Sequence, residues 1–195
     1  LNGAAKRYQQ AFDGRAAIYG RDHPETMTAL QNLANVMVLR KKFDAALPLL
    51  LELYEHSLRV RGPAHPNTDI AANSIAWVYE DTGREAEAEA IYRRLVDAEL
   101  AADASFIESF STQNNLAMLL MKRGQPAEAV THFERAIQRM VAKVGADHPY
   151  ALIFTNNYGE CLTKLGRYDE ALTELRASHE GLVSTFGPEH ERVKK

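Results

Sequence analysis

The sequence repeats itself, and this repeat limits the chain to an array of similar building blocks. A glycine stands three residues before a histidine four times, at successive steps of 42, 83 and 42 residues: Gly20, Gly62, Gly145 and Gly187. The middle step is close to twice the outer ones, which predicts a degenerate copy near Ala104. A fixed period in this size range is typical of stacked repeats, in which each unit is one small supersecondary motif.

A second landmark in each period marks a turn between two helices. The turn position is held by Lys41, Gly83, Gly124 and Gly166, and an alanine follows five positions later: Ala46, Ala88, Ala129 and Ala171. Glycine takes a positive φ at a helix C-terminus without steric cost, so we expect slight strain at Lys41. Apolar residues on both sides of the turn recur at i, i+3, i+4 and i+7, the spacing of an amphipathic helix.

Each period therefore predicts an A helix, entered through His-Pro, and a B helix after the turn. We expect A helices near 24–40, 66–82, 106–123 and 149–165, and B helices near 43–60, 85–102, 126–143 and 168–185. The predicted repeats within one array over 1–195 are 20–61, 62–103, 104–144 and 145–186, preceded by a B helix at 3–19 and followed by the start of a further helix at 187–195. The chain begins with Leu1, and we expect it to be an excerpt of a longer protein.

The Asn-Leu-Ala segments, the glycine turn before Tyr/Phe-Asp-Glu-Ala-Leu and the 42-residue step resemble tetratricopeptide (TPR) repeats of the kinesin-light-chain type. The pattern departs from the family at Lys41, at the missing His-Pro of the third repeat, and at Pro126, where tyrosine is expected. The resemblance implies an all-α fold, a right-handed superhelical solenoid of antiparallel helix pairs. Small residues at one A-helix position predict close packing against neighbouring B helices: Ala34, Ala76, Ala117 and Gly159.

The resemblance also implies a concave face lined by A helices, where a ligand is held. One inward position carries an amide in every repeat, and the next inward position is more varied: Gln31, Asn73, Asn114 and Asn156, then Asn35, Trp77, Met118 and Glu160. Side-chain amides both donate and accept hydrogen bonds, so a row of them suits the backbone of an extended peptide. The alternatives are that these amides bond to neighbouring helices and that Trp77 belongs to the core.

Charge and motifs argue against other classes of function. The net charge is −3, with no basic stripe of the kind that nucleic acid requires, and no apolar run approaches the ~20 residues of a membrane-spanning helix. The sequence has no phosphate-binding loop, no Gly-x-Ser-x-Gly and no His-Glu-x-x-His motif, and Cys161 is its single cysteine. We therefore predict no catalytic residue, cofactor or metal, and we interpret the Gly-x-x-His-Pro segments as helix-start signals.

The sequence thus predicts a non-catalytic scaffold that binds a protein or an extended peptide on its concave face. Two alternatives stay open. The resemblance implies that the chain could be a sensor or docking arm of a bacterial signalling protein with a kinase or transcription-regulator domain, and the ends or the groove could mediate self-association. We expect a cytoplasmic location, or a periplasmic one if the parent protein has a transmembrane segment.

Overall fold

The computed structural model describes residues 2–102, 107–190 and 193, and the described part of the chain forms helices joined by short turns. The helices are α1 (Asn2–Tyr19), α2 (Pro24–Leu39), α3 (Phe43–Arg61), α4 (Pro66–Asp81), α5 (Glu85–Ala101), α6 (Ile107–Lys122), α7 (Pro126–Val144), α8 (Pro149–Lys164) and α9 (Tyr168–Phe186). The all-α class is confirmed, and each of the expected A and B helices is present. The predicted start of the third repeat at 104–106 and residues 191, 192, 194 and 195 lie outside the described residues, and the described part of the segment 187–195, residues 187–190 and 193, is not helical.

The histidine of each His-Pro pair caps the helix that follows it. His23, His65 and His148 have extended backbones, and the side-chain Nδ1 of each accepts a hydrogen bond from the N–H two residues later, at 3.2, 3.1 and 3.3 Å. One of the four N–H groups left free at a helix start is thereby satisfied. The interpretation of these histidines as helix-start signals is confirmed.

The turn between the A and B helices requires a left-handed residue. The φ angle is 53° at Lys41 and 75–76° at Gly83, Gly124 and Gly166. The following N–H reaches back across the turn, as when Lys42 donates to the Met37 carbonyl at 2.9 Å, which is the hydrogen bond of a helix-terminating Schellman turn. Lys41 is the sole residue other than glycine with a positive φ in the part of the chain that the structure describes.

Contacts divide the chain into two compact units, Leu1–Ala102 and Asp103–Lys195. In the first unit, α1 to α5 pack consecutively in chain order. Each of these helices contributes an apolar residue to one buried cluster: Phe12, Leu30, Leu50, Ile75 and Leu95. Each of these helices is apolar along only one side. The cluster that the helices share therefore stabilises the helix pairs of this unit.

In the second unit, α6 to α9 pack in the same consecutive order. The A helices α6 and α8 contribute Phe110 and Phe154 to a cluster with Met140 of α7. A Cβ atom added to Gly159 of α8 would lie 2.6 Å from Leu175 Cγ of α9. The predicted close helix packing is therefore confirmed at this glycine, and the equivalent alanines Ala34, Ala76 and Ala117 are fully buried.

Candidate functional site

A groove of about 520 Å³ opens in the first unit between the A helices α2 and α4 and the C-terminal half of α3. Its lining combines amides, apolar side chains and charges; among these residues are Met27, Thr28, Gln31, Asn32, His56, Arg59, Arg61, Asn67 and Ala71. Ligand-binding pockets in proteins span roughly 300–1,000 Å³ and combine apolar walls with a few polar groups. The groove is therefore large enough to hold one or two side chains of a ligand.

Three carboxamides line this groove without using their hydrogen-bonding capacity inside the protein. Gln31 and Asn32 come from α2, and Asn67 comes from the first turn of α4. Among the described residues, none of these three side-chain amides forms a hydrogen bond with another group of the protein. Each amide offers two N–H donors and one carbonyl acceptor to a ligand.

The second unit uses the corresponding amides differently. Asn157 of α8 donates from Nδ2 to Oδ1 of Asn114 in α6 at 3.0 Å, so two neighbouring A helices are joined through their amides. In the first unit, the residue at the Asn157 position is Ser74, whose hydroxyl donates to the Ile70 carbonyl of its own helix. This back-bonding explains why Gln31, at the Asn114 position, has no partner on the next A helix.

Ion pairs hold the loop before α2 against α3 at one end of the groove. Arg21 donates to both carboxylate oxygens of Glu52 at 2.7–3.0 Å, and Asp22 accepts from Arg59 and lies 3.1 Å from His56 Nδ1. The hydrogen bond from His56, with a smaller contribution from Arg59, lowers the pKa of Asp22. Asp22 is therefore ionised at neutral pH.

Arg61 adds a positive charge to the same end of the groove. The structure gives Arg61 no ion pair within the described residues, whereas Arg59 is engaged by Asp22. The charged residues lining the groove are thus one carboxylate and two guanidinium groups, beside His56. The groove is more positive than the chain as a whole, whose net charge is −3.

The structure places the predicted contacts of the first unit as follows. Gln31 lines the groove, and Asn35, one turn later on α2, is exposed outside it. Asn73 is half-buried and donates from Nδ2 to the Asp69 carbonyl at 3.0 Å. Trp77 is 43% exposed, and its ring packs edge to face with Phe43, with centroids 5.7 Å apart.

In the second unit, Asn114 is buried and bonded to Asn157. Met118 is 39% exposed. Asn156 donates from Nδ2 to Glu160 Oε1 at 3.1 Å, along the surface of α8. These side chains are available to different degrees, because Asn114 already accepts a hydrogen bond from Asn157 and Asn156 already donates one to Glu160.

Asn32 and Asn67 were not among the residues predicted from the sequence. Asn32 belongs to a neighbouring position that is polar in every repeat: Asn32, Ser74, Asn115 and Asn157. This second row of polar residues is the sequence signal from which Asn32 could have been predicted. Asn67 follows His65-Pro66, and only the packing of α4 beside α2 shows that the first turn of one A helix faces the middle of the previous one.

Other candidate chemistry is limited. No group of three or more His, Cys, Asp or Glu side chains in the described parts of the chain is placed to hold a metal ion. Cys161 is a free, buried thiol, and burial raises its pKa. None of the described helices is both long and apolar enough to cross a bilayer.

The sequence profile of the tetratricopeptide repeat family matches residues 2–56, 39–98 and 108–182. The chain belongs to the TPR family. A TPR-like kinesin-light-chain repeat protein from Podosopora anserina has the same fold, with a TM-score of 0.77 over 94% of this chain and 87% of that one, at 20% identity. The recognition of a TPR array of the kinesin-light-chain type is therefore confirmed at the level of fold.

Two further comparisons involve larger proteins. PlcR from Bacillus thuringiensis, solved in complex with the peptide PapR7 and DNA, matches with a TM-score of 0.65 at 17% identity, over 93% of this TPR chain and 66% of PlcR. The Clustered mitochondria protein homolog of Candida albicans is 27% identical over 92 residues, which are 47% of this chain and 7% of that protein. The TPR chain thus corresponds to a small part of this curated relative.

Proposed function

We propose that this chain is a non-catalytic scaffold in the cytoplasm and that the groove of its first unit binds an extended peptide segment of a protein partner. The TPR fold described above supports a general role as a protein-interaction scaffold. The observation that carries the proposal is the set of three unbonded amides, Gln31, Asn32 and Asn67, around one groove.

An extended peptide fits these amides because its backbone presents alternating N–H and C=O groups. A side-chain amide can pair with either group without selecting a particular side chain. Recruiting an amide that is bonded only to water breaks no hydrogen bond within the protein, whereas an amide already bonded inside the protein must first give up its partner. Met27 and Ala71 add apolar surface, so that a small apolar side chain of the peptide finds a partner beside the amides.

The fold comparison is consistent with this class of ligand, since PlcR was solved with a bound peptide. The remaining A-helix positions stay proposed peptide contacts, each within its own unit: Asn35, Asn73 and Trp77 in the first unit, and Asn114, Met118, Asn156 and Glu160 in the second. Among the exposed members, Trp77 is the strongest candidate because tryptophan is enriched at binding hot spots.

The proposal predicts that peptide binding depends on groove amides. A displayed library of random twelve-residue peptides is selected on the wild-type chain, and the dissociation constants of the enriched peptides are measured by calorimetry. We expect Gln31→Ala with Asn67→Ala to weaken binding about tenfold or more, because two backbone hydrogen bonds of about 0.5–1.5 kcal/mol each are lost.

The control is Gln10→Ala, which removes an exposed amide of α1 that does not line the groove. Its affinity for the selected peptides should equal that of the wild type. Equal binding by wild type and the groove double mutant, or an equal loss in Gln10→Ala, would remove the groove from consideration. Light scattering of the unliganded chain tests self-association separately, since a concentration-dependent mass would favour that alternative.

A further inference from the structure

A shallow pocket of about 470 Å³ lies between the loop that leads into α4 and the C-terminal end of α5. Its walls are formed mainly by small or apolar side chains: Pro63, Ala64, Pro66, Ala98, Ala101 and Ala102. Arg61 and His65 supply the two other side chains that line it. Arg61 is the one residue that this pocket shares with the groove described above, so the two openings have different walls.

The same junction in the preceding repeat is closed by charged side chains. There Asp22, in the loop before α2, accepts a hydrogen bond from Arg59 of α3 and lies 3.1 Å from His56 Nδ1. The three equivalent positions around the pocket are all alanine: Ala64, Ala98 and Ala101. Because an alanine side chain is a single methyl group, neither the loop nor α5 spans the gap, and the pocket stays open.

His65 also lacks the aromatic neighbour that the equivalent histidines have. Three of these histidines have an aromatic ring beside them, with centroids 4.6, 4.7 and 5.6 Å apart: Tyr19 with His23, Phe186 with His190, and Tyr150 with His148. No aromatic ring of the described residues stacks on His65. The residue at the Tyr19 position, directly before the loop glycine, is Arg61. One face of the imidazole is therefore available to a ring from outside the chain.

Arg61 lacks a partner in the same way. Its side chain forms no ion pair and lies over no aromatic ring within the described residues. Other arginines of this chain lie 4.2 to 5.3 Å from the centroid of a ring: Arg84 over Tyr79, Arg139 over Phe110, Arg21 over Phe12 and Arg94 over Tyr54. A guanidinium group is attracted to the negative face of an aromatic ring. Arg61 and His65 thus offer the same kind of ligand a favourable contact.

We propose that this pocket is a docking site for an aromatic side chain of a protein partner. The ring takes the place over His65 that Tyr19 has over His23, and it lies beside the Arg61 guanidinium. A carboxylate would also pair with Arg61, but the proline and alanine walls offer it no side-chain donor. Tyrosine and tryptophan fit best, because their rings cover apolar surface while the polar O–H or N–H stays in water at a shallow site.

A titration with capped amino acids tests the proposal without a known partner. The probe is N-acetyl-tryptophanamide, and the readout is the imidazole NMR signals of the 195-residue chain carrying ¹³C-labelled histidine. The His65 signal is assigned by its loss in His65→Asn, since asparagine also caps a helix. We expect a saturable upfield shift at His65 from the ring current of the stacked indole. His148 is the internal control, because Tyr150 already lies beside it.

A second probe and three variants define the chemistry of the site. N-acetyl-cyclohexylalaninamide, which is apolar but not aromatic, should bind about two- to fivefold more weakly. Arg61→Tyr supplies the chain's own ring at the Tyr19 position and should weaken binding of the tryptophan probe about tenfold. Ala101→Leu fills the pocket from α5 and should have a similar effect. Arg7→Tyr makes the same exchange at an exposed position of α1 and should bind the probe as the wild type does.

The groove mutant separates this site from the proposed peptide groove. Gln31→Ala with Asn67→Ala changes two residues that do not line the pocket, so it should keep its full affinity for the tryptophan probe. An equal loss of probe binding in this double mutant would assign the probe to the groove. Loss of peptide binding with retained probe binding would leave both sites standing, each on its own observation.

Four other results would overturn the proposal. One is a His65 shift no larger than that of His148. Another is equal affinity for the cyclohexyl and tryptophan probes, which would show that the pocket does not select an aromatic ring. The third is unchanged affinity in both Arg61→Tyr and Ala101→Leu. The fourth is tighter binding of free tryptophan than of the capped amide, which would assign the pocket to a small molecule.

Discussion

Lys41 occupies a backbone position that glycine fills in the other repeats. Its φ of 53° is in the left-handed region, where an L-residue with a Cβ atom is disfavoured by about 1–2 kcal/mol. Its Nζ lies 4.0 Å from Asp81 Oδ1, a contact between exposed groups that returns little stability. The sequence predicted this strain from the alignment alone, and the backbone angle confirms it.

Lys41→Gly should therefore raise the free energy of unfolding by about 0.5–1 kcal/mol, since glycine removes the steric cost but adds freedom to the unfolded chain. Urea denaturation measures the change. Lys41→Ala keeps the unfavourable φ and loses the ion pair, so it should give no gain. If the alanine variant were as stable as the glycine variant, the backbone would not be the source of the strain.

Gln113 is a second residue whose environment does not match its chemistry. Its side chain is fully buried in α6, and neither Oε1 nor Nε2 has a hydrogen-bond partner. The buried neighbour Asn114, by contrast, is bonded to Asn157. A buried amide without partners costs about 1–3 kcal/mol relative to a satisfied or apolar side chain.

We expect Gln113→Leu, which is close in volume, to increase the thermal unfolding midpoint, by an amount corresponding to about 1–3 kcal/mol. Asn114→Leu is the matched comparison one residue away, and it should lower the midpoint because it leaves Asn157 Nδ2 without its acceptor. A decrease in both variants would show that the Gln113 amide is satisfied in solution.

At the scale of helices, the position of a glycine decides whether it is replaceable. Gly14 in α1 has no atom within 4 Å of the place where a Cβ would stand, whereas the Cβ of a residue at Gly159 would overlap Leu175. Both glycines lie inside helices and have ordinary helical conformations. Their different surroundings reflect the packing of α8 on α9, which the repeat pattern anticipated through the small residue.

Gly14→Ala should stabilise the chain by about 0.5–1 kcal/mol through helix propensity. Gly159→Ala should destabilise it by about 1–2 kcal/mol, because the overpacking cost of about 1–3 kcal/mol exceeds the same propensity gain. Chemical denaturation of the two variants beside the wild type checks both signs. A stabilised Gly159→Ala variant would mean that the Leu175 side chain moves away from the added Cβ at little cost.

For the whole molecule, the sequence predicted the helices closely because their signals are local. The His-Pro entry, the positive-φ turn and the apolar spacing are each read within one period, and the family match agrees with them. What the pattern could not supply was the pairing of side chains between neighbouring A helices. Whether an amide is free, as Gln31 is, or bonded, as Asn114 is, depends on the residue opposite it on another helix.

The residues around the candidate groove were only partly among those predicted from the sequence. Gln31 was predicted as a contact, and that prediction stays a proposal, whereas Asn32 and Asn67 line the groove beside it without having been predicted. A repeat alignment treats equivalent positions as equal, whereas a single change such as Ser74 for Asn157 alters which amide of the next helix is satisfied. Predictions for the row as a whole are thus less informative than predictions for one helix pair.

The consecutive packing of helices within each unit also bears on how the chain acquires its fold. Contacts between sequence neighbours close short loops, whose entropic cost is small, and proteins dominated by such contacts reach the native state in microseconds to milliseconds. During synthesis, each helix pair leaves the ribosome after the preceding pair, on which it packs, has already emerged. Few apolar side chains therefore stay exposed until a distant segment has been synthesised, and this disfavours misassembly during translation.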